Sequence, residues 1–206
     1  MTQSAPTRQI AVVVEGHGEV DAVPILLNRI TAEIMPEVWP VFLRPYRVGR
    51  DTLMKQHGIE ATVNEITRKF GDLAGLLVLL DSDDDCPASL GPGLLARVEE
   101  ARPGLSAAVV LAHREFEAWF LAAAVSLRGC QGLPSDLEAP ADPESIRGCK
   151  EWLTCRRPSG APYRPKNHQP GLAQRFDLNM ARANSPSFAK FYRDVEYLIT
   201  GKRNPP

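Results

Sequence analysis

The sequence has no apolar run long enough to cross a membrane. The run over residues 75–80 (GLLVLL), like every other, falls far short of the roughly 20 residues a span requires. Residues 1–8 also lack the apolar stretch of a secretory signal, so a cytoplasmic location and no membrane partner are expected. Cysteine is scarce: Cys86, Cys130, Cys149 and Cys155 include no CxxC pair. That argues against a zinc site or a disulfide frame and for reduced thiols. Net charge is nearly absent, −1 in 206 residues, and there is no internal repeat or low-complexity tract. With 44% hydrophobic and 24% charged residues, the composition excludes disordered and fibrous chains and leaves an ordinary globular protein.

The small total conceals an uneven distribution. Residues 1–120 carry 11 Lys and Arg against 17 Asp and Glu, whereas residues 121–206 carry 13 against 8. Within the basic half, Arg147, Lys150, Arg156, Arg157, Arg164, Lys166 and Arg175 are opposed between 147 and 175 only by Glu151, with Trp152 and Tyr163 interleaved. Such a stretch suits a phosphate backbone. It equally suits a solvated loop whose arginines pair with the acidic half.

Hydrophobic patterning organises the chain. Residues 9–14 (QIAVVV) read as a strand, followed by Glu15-Gly16-His17-Gly18-Glu19 and a helix over 20–34. A second strand over 39–48 is weakened by Pro40 and Pro45 and belongs at an edge. A helix over 51–70 follows. The run 75–80 has the continuous apolar character of a strand buried on both faces of a parallel sheet. A helix over 92–101, a strand over 107–112 and a helix over 115–127 complete four strand-then-helix units. This alternation predicts an α/β fold with a mostly parallel sheet flanked by helices. After residue 128, seven prolines between 131 and 170 predict a loop-rich segment with one short helix over 144–153. A final helix over 187–199 opens at Ser185-Pro186-Ser187 and places Phe188, Phe191, Val195 and Leu198 on one face. The expected organisation is a core over 1–128 and a basic, proline-rich extension over 129–206, whose last helix packs on that core.

In an open parallel sheet, ligands bind outside the carboxyl ends of the strands, and there this sequence is acidic. Glu15 and Glu19 follow the first strand, Asp81, Asp83, Asp84 and Asp85 follow the central one, and Glu115 and Glu117 follow the strand over 107–112. Parallel strands put all three groups on one edge. Crowded carboxylates repel one another unless a cation neutralises them, and oxygen donors alone point to Mg²⁺ or Mn²⁺. Against this, Glu15 to Glu19 also reads as a tight turn before a helix, and residues 81–85 as a solvated capping loop. His17 is ambiguous, while His57 and His113 read as structural, and Trp119 and Phe120 as core. Helical spacing over 115–122 predicts that at most one of Glu115 and Glu117 reaches a metal. An EF-hand fails, because its sixth and twelfth positions would be Cys86 and Pro92. An aspartyl-phosphate phosphatase leaves Glu15 unexplained. The turn after the first strand lacks both the Lys-Ser/Thr of a P-loop and the third glycine of a dinucleotide fingerprint.

The pairing of Glu15-Gly-x-x-Glu19 with Asp81-x-Asp83 resembles the Toprim signature of topoisomerases, primases and the overcoming-lysogenization-defect type nucleases. Together with Glu115-Phe-Glu117-Ala-Trp119-Phe120-Leu-Ala122, Arg175-Phe-Asp-Leu178 and Ser185-Pro-Ser-Phe188, it is similar to a bacterial group of small stand-alone Toprim-like proteins of unassigned function, which includes the nuclease subunit of the PARIS anti-phage system. The resemblance runs from residue 10 to 199. It implies a Toprim-like fold and a Mg²⁺-dependent (or Mn²⁺-dependent) nuclease acting on RNA or DNA in a defence or toxin module. Glu15 then stands in the general acid/base position, Asp81 and Asp83 hold the metal, and Glu19, Asp85 and Glu117 are candidates for a second ion or outer support. Lys150, Arg156, Arg157 and Lys166 are candidates for substrate phosphates. Nucleic acid is the implied partner, with an ATPase subunit and a homodimer as further possibilities. A non-catalytic nucleic-acid- or protein-binding subunit that keeps the scaffold is the alternative.

Overall fold

The three apolar runs with clean strand character form the centre of the molecule. In the computed structural model, which describes residues 8–158 and 161–203, they are β1 (Gln9–Val14), β4 (Gly75–Asp81) and β5 (Ala107–Ala112). The N-terminal residues 1–7, read above for a secretory signal, lie outside the described residues. β1 pairs in parallel with β4, and β4 with β5. The edge expected over 39–48 is two short strands, β2 (Val41–Phe42) and β3 (Tyr46–Arg47), with Pro45 between them. Both pair in parallel with β1, completing a five-stranded sheet. The fold is α/β, a parallel sheet flanked by helices.

Alternation along the strands separates two apolar layers. Ile10, Val12, Val14, Leu77, Leu79, Val110 and Ala112 face α1 (Glu19–Ile34) and α9 (Pro186–Thr200). Ala11, Val13, Leu76, Val78, Leu80, Val109 and Leu111 face α2 (Arg50–Met54), α3 (Gly58–Phe70) and α4 (Pro87–Ala101). Burial of β4 on both faces explains its unbroken hydrophobic run. Among the described residues no helix is long and apolar enough to cross a membrane.

Three helical expectations change. The helix over 51–70 is broken into α2 and α3, because His57 takes a left-handed backbone (φ 60°) and Gly58 lies so close to the Thr52 carbonyl that a Cβ there would overlap it. The helix over 115–127 is reduced to α5 (Ala118–Ala122) and a 3₁₀ turn, Ala124–Leu127. The proline-rich segment is more helical than its composition suggests: besides α6 (Cys149–Arg156) it holds α7 (Pro165–Arg175) and, just beyond, α8 (Leu178–Asn184). Pro165 sits in the first turn of α7, where its missing N–H costs nothing.

α7 lies along α1, and α9 lies against β5. One apolar cluster therefore runs from β1 through Trp119 and Phe120 to Phe176, Phe188 and Phe191. Trp119 packs edge-on to Phe188 at 5.2 Å and donates its indole N–H to Ser187 Oγ at 2.8 Å. The buried Glu144 carboxylate accepts from the Ser187 amide at 2.9 Å and from its hydroxyl at 2.6 Å. A negative charge at the start of α9 complements the helix dipole and ties the 143–145 turn to the core.

Candidate functional site

The parallel register brings the ends of β1, β4 and β5 to one edge, and each delivers carboxylates. After Val14 the chain turns through Glu15 to Gly18 into α1. The Glu19 side chain folds back, so that Glu19 Oε2 accepts the Glu15 amide at 3.2 Å. A Cβ on Gly16 would lie 2.5 Å from Glu19 Oε1, so glycine makes room for this carboxylate. At Gly18 a Cβ would overlap the Gln169 amide oxygen and crowd the Pro165 backbone. The two glycines thus seat Glu19 and the start of α7 and do not build a phosphate loop.

Asp81 closes β4. Its Oδ1 accepts the Phe116 amide at 2.7 Å, and the Arg114 amide donates to Ser82 Oγ at 3.0 Å. These bonds lock the β4 and β5 turns together. Residues 113–117 form a turn before α5, so the helical argument that separated Glu115 from Glu117 does not hold here. Both carboxylates meet the same partner. Lys150 Nζ, delivered by α6, lies 2.8 Å from Glu115 Oε2, 3.2 Å from Glu117 Oε2 and 3.9 Å from Asp81 Oδ2. Gln169 of α7 donates to Glu117 Oε1 at 2.8 Å.

A cleft of about 520 Å³ opens over this group, lined by Glu15, His17, Glu19, Asp81, Lys150, Lys166 and Gln169 among others. Its carboxylates are poorly solvated. Glu117 is fully buried, Glu19 is 4% exposed and the Asp81 side chain 17%. Burial, reinforced by Glu117 and Glu15, raises Glu19 to about 7. Asp81 is raised well above the usual range by burial and by the charges of Glu19 and Glu117. Glu15 is also raised, chiefly by burial. For Lys150, burial opposes the charge, but Glu117, Asp81 and Glu115 outweigh it and hold its pKa above the usual lysine range. Burial and the same carboxylates push the Cys149 thiol up to about 12, which leaves it a poor nucleophile.

These shifts give the pH dependence its sign. An acid raised in the folded state binds protons there that the unfolded chain has released, so stability falls as pH rises between about 4.5 and 7. Glu19 alone accounts for on the order of 3 kcal/mol across that window. Without divalent ions, the protein is expected to melt at a higher temperature at pH 5 than at pH 7.5. A melting temperature that rises with pH in chelator would contradict this electrostatic picture.

Of the residues singled out from sequence, Glu15, Glu19, Asp81, Glu117, Lys150 and Lys166 gather at the cleft. Lys150 does not stand off for a flanking phosphate but sits among the carboxylates. Asp83 and Asp85 turn outward: Asp83 has a left-handed backbone (φ 49°), its carboxylate is 62% exposed and lies 3.6 Å from Arg50 Nε, and Asp85 pairs with the same arginine. Asp84 pairs at 2.6 Å with Arg114 and with Arg147. Arg156 stacks 3.5 Å over Trp152, and Arg157 donates to the Ala161 and Gln131 carbonyls. Neither is ion-paired among the described residues. Gln169 carries no signal in the sequence, as an uncharged residue in a segment that reads as loop. Tyr163, notable there only as an interleaved aromatic, is buried beside Glu117, with its hydroxyl held protonated by burial and that charge.

No curated protein and no solved structure matches the chain. Residues 14–196, from the end of β1 into α9 and spanning every carboxylate of the cleft, match a family described as a domain of unknown function, DUF4276. The chain belongs to that family.

Proposed function

We propose that the cleft is the centre of a Mg²⁺- or Mn²⁺-dependent nuclease of Toprim-like type, hydrolysing phosphodiesters of RNA or DNA. The observation that carries this reading is the convergence of buried, mutually repelling carboxylates from three strand ends. Glu15 Oε2 and Glu117 Oε2 make no hydrogen bond, and three carboxylates, Asp81, Glu115 and Glu117, share one ammonium. Buried unpaired charge is costly unless a cation compensates it. The all-oxygen donor set fits a hard divalent ion. As they stand, no three acidic, histidine or cysteine side chains among the described residues surround one point as metal ligands do. Asp81, with Glu19 or Glu117, would hold the ion, and Glu15 stands beside it at the end of β1. Asp83 and Asp85 fit less well, being drawn to Arg50.

A bound divalent ion supplies charge stabilisation at a phosphate and a more acidic water. Glu15 lines the cleft at the end of β1, and burial raises its pKa above the usual carboxylate range, the direction that a proton-exchanging carboxyl requires. Lys166 at the same cleft, with Arg156 and Arg157, offers positive charge to a flanking backbone. The second reading, a binding subunit on a non-catalytic scaffold, is favoured by one observation: Lys150 closes the acidic cluster as a structural ion pair would. The purified full chain, with Mn²⁺ and a panel of tRNA and single-stranded DNA, alone and with any genomically adjacent ATPase, tests the choice. Metal-dependent cleavage is expected; tight binding without cleavage under either condition would favour the scaffold.

A further inference from the structure

We propose that Lys150 is a tethered cation that competes with the divalent ion for the carboxylates of the cleft and, once displaced, is free for a substrate phosphate. The inference rests on the metal-dependent reading above. Three observations carry it. Lys150 Nζ is within 4 Å of carboxylate oxygens from two different strand ends, Asp81 at the end of β4 and Glu115 and Glu117 in the turn after β5, so the ammonium occupies the junction to which a divalent ion would be drawn. Glu117 Oε2, with no solvent exposure and no hydrogen bond, has that ammonium as its counter-charge. Finally, Lys150 lies in the first turn of α6, after Gly148 in a left-handed conformation, with its side chain 37% exposed toward the cleft. The side chain is anchored at its base and open at its tip.

Displacement has a clear energetic direction. An ion that binds Asp81 and Glu117 must break their attraction to the ammonium, and this loss is subtracted from its affinity. The freed ammonium, a compact charge on a flexible stem, remains at the cleft beside Lys166. Divalent binding and exposure of a phosphate-binding charge are thereby linked in one side chain.

The test is Mn²⁺ titration by calorimetry of the full chain and of Lys150→Met, which keeps length and removes charge, with Lys150→Arg as the charge-retaining control. Lys150→Met is expected to bind Mn²⁺ about tenfold or more tightly than wild type, and Lys150→Arg to stay within about threefold of wild type. Equal or weaker binding by Lys150→Met overturns the competition while leaving the metal centre in place. No Mn²⁺ binding by any of the three proteins removes the metal-dependent reading and this inference with it. A measurement that needs no variant is the Lys150 side-chain ¹⁵N resonance of wild type during Mg²⁺ titration. It is expected to move in step with the Mg²⁺-induced rise in melting temperature; an unmoved resonance under saturating Mg²⁺ overturns the proposal.

Discussion

Replacing Glu15 by Gln is expected to slow Mn²⁺-dependent cleavage of nucleic acid by about 10²–10⁴-fold, the range for loss of a general acid or base. The amide keeps the size and the hydrogen-bonding reach of the carboxylate but cannot exchange a proton. Glu15 lies at the C-terminal end of β1, half-buried, beside Asp81 and under the charge of Asp83. Removing its charge relieves repulsion, so the variant should fold and melt no lower than wild type. Nucleic-acid binding should change little, because the residue bears the wrong sign for a phosphate contact. Neutralising Arg156 and Arg157 should do the reverse, weakening binding and flattening its salt dependence by about one unit of slope for each phosphate that is no longer neutralised. A fall in cleavage of less than about threefold in Glu15→Gln, or a parallel fall in binding, would remove Glu15 from the proton-transfer role.

Asp81→Asn is expected to abolish the stabilisation that Mn²⁺ gives the protein, about 2.7 kcal/mol at a hundredfold excess over the dissociation constant. It should also raise the melting temperature of the metal-free protein near pH 7.5. Both effects have one cause: burial, reinforced by the charges of Glu19, Glu117 and Glu15, raises the pKa of Asp81 and makes its charge a burden until a cation arrives. The amide can still accept the Phe116 N–H that holds the β4 and β5 turns together. Asp83→Asn provides the contrast. Its carboxylate is 62% exposed beside Arg50, so the Mn²⁺ shift should survive there. If Asp83→Asn loses the shift while Asp81→Asn keeps it, the ion lies at the rim and not in the cleft.

Much of this arrangement is legible in the amino-acid order. The unbroken run 75–80 marks a strand covered on both faces, and the parallel pairing of β1, β4 and β5 follows from regular strand-helix alternation. With those strands side by side, Glu15, Glu19 and Asp81 have to share an edge. The rest depends on contacts between distant residues. Asp83 and Asp85 carry the same chemistry as Asp81, and only the position of Arg50, more than 30 residues away, turns them outward. Glu115 and Glu117 both reach Lys150 because α5 starts at Ala118, three residues later than the pattern suggests. The prolines that make 131–170 look like loop include Pro165, which starts α7. That helix buries little beyond Gln169, Leu172 and Ala173, too short an apolar stripe for a periodic signal. Lys150 reads as one cation of a basic segment, since nothing local in the sequence distinguishes a lysine facing solvent from one held by three carboxylates.

Anomalous diffraction at the manganese edge, from crystals of the full chain grown with Mn²⁺, shows where the ion sits and what Lys150 does when it binds. A peak is expected in the cleft bonded to Asp81 and close to Glu15, with the Lys150 ammonium moved off the carboxylates it meets in the metal-free protein. A peak confined to the exposed Asp83–Asp85 turn, or a cleft without manganese in which Lys150 keeps its three carboxylate partners, would contradict it.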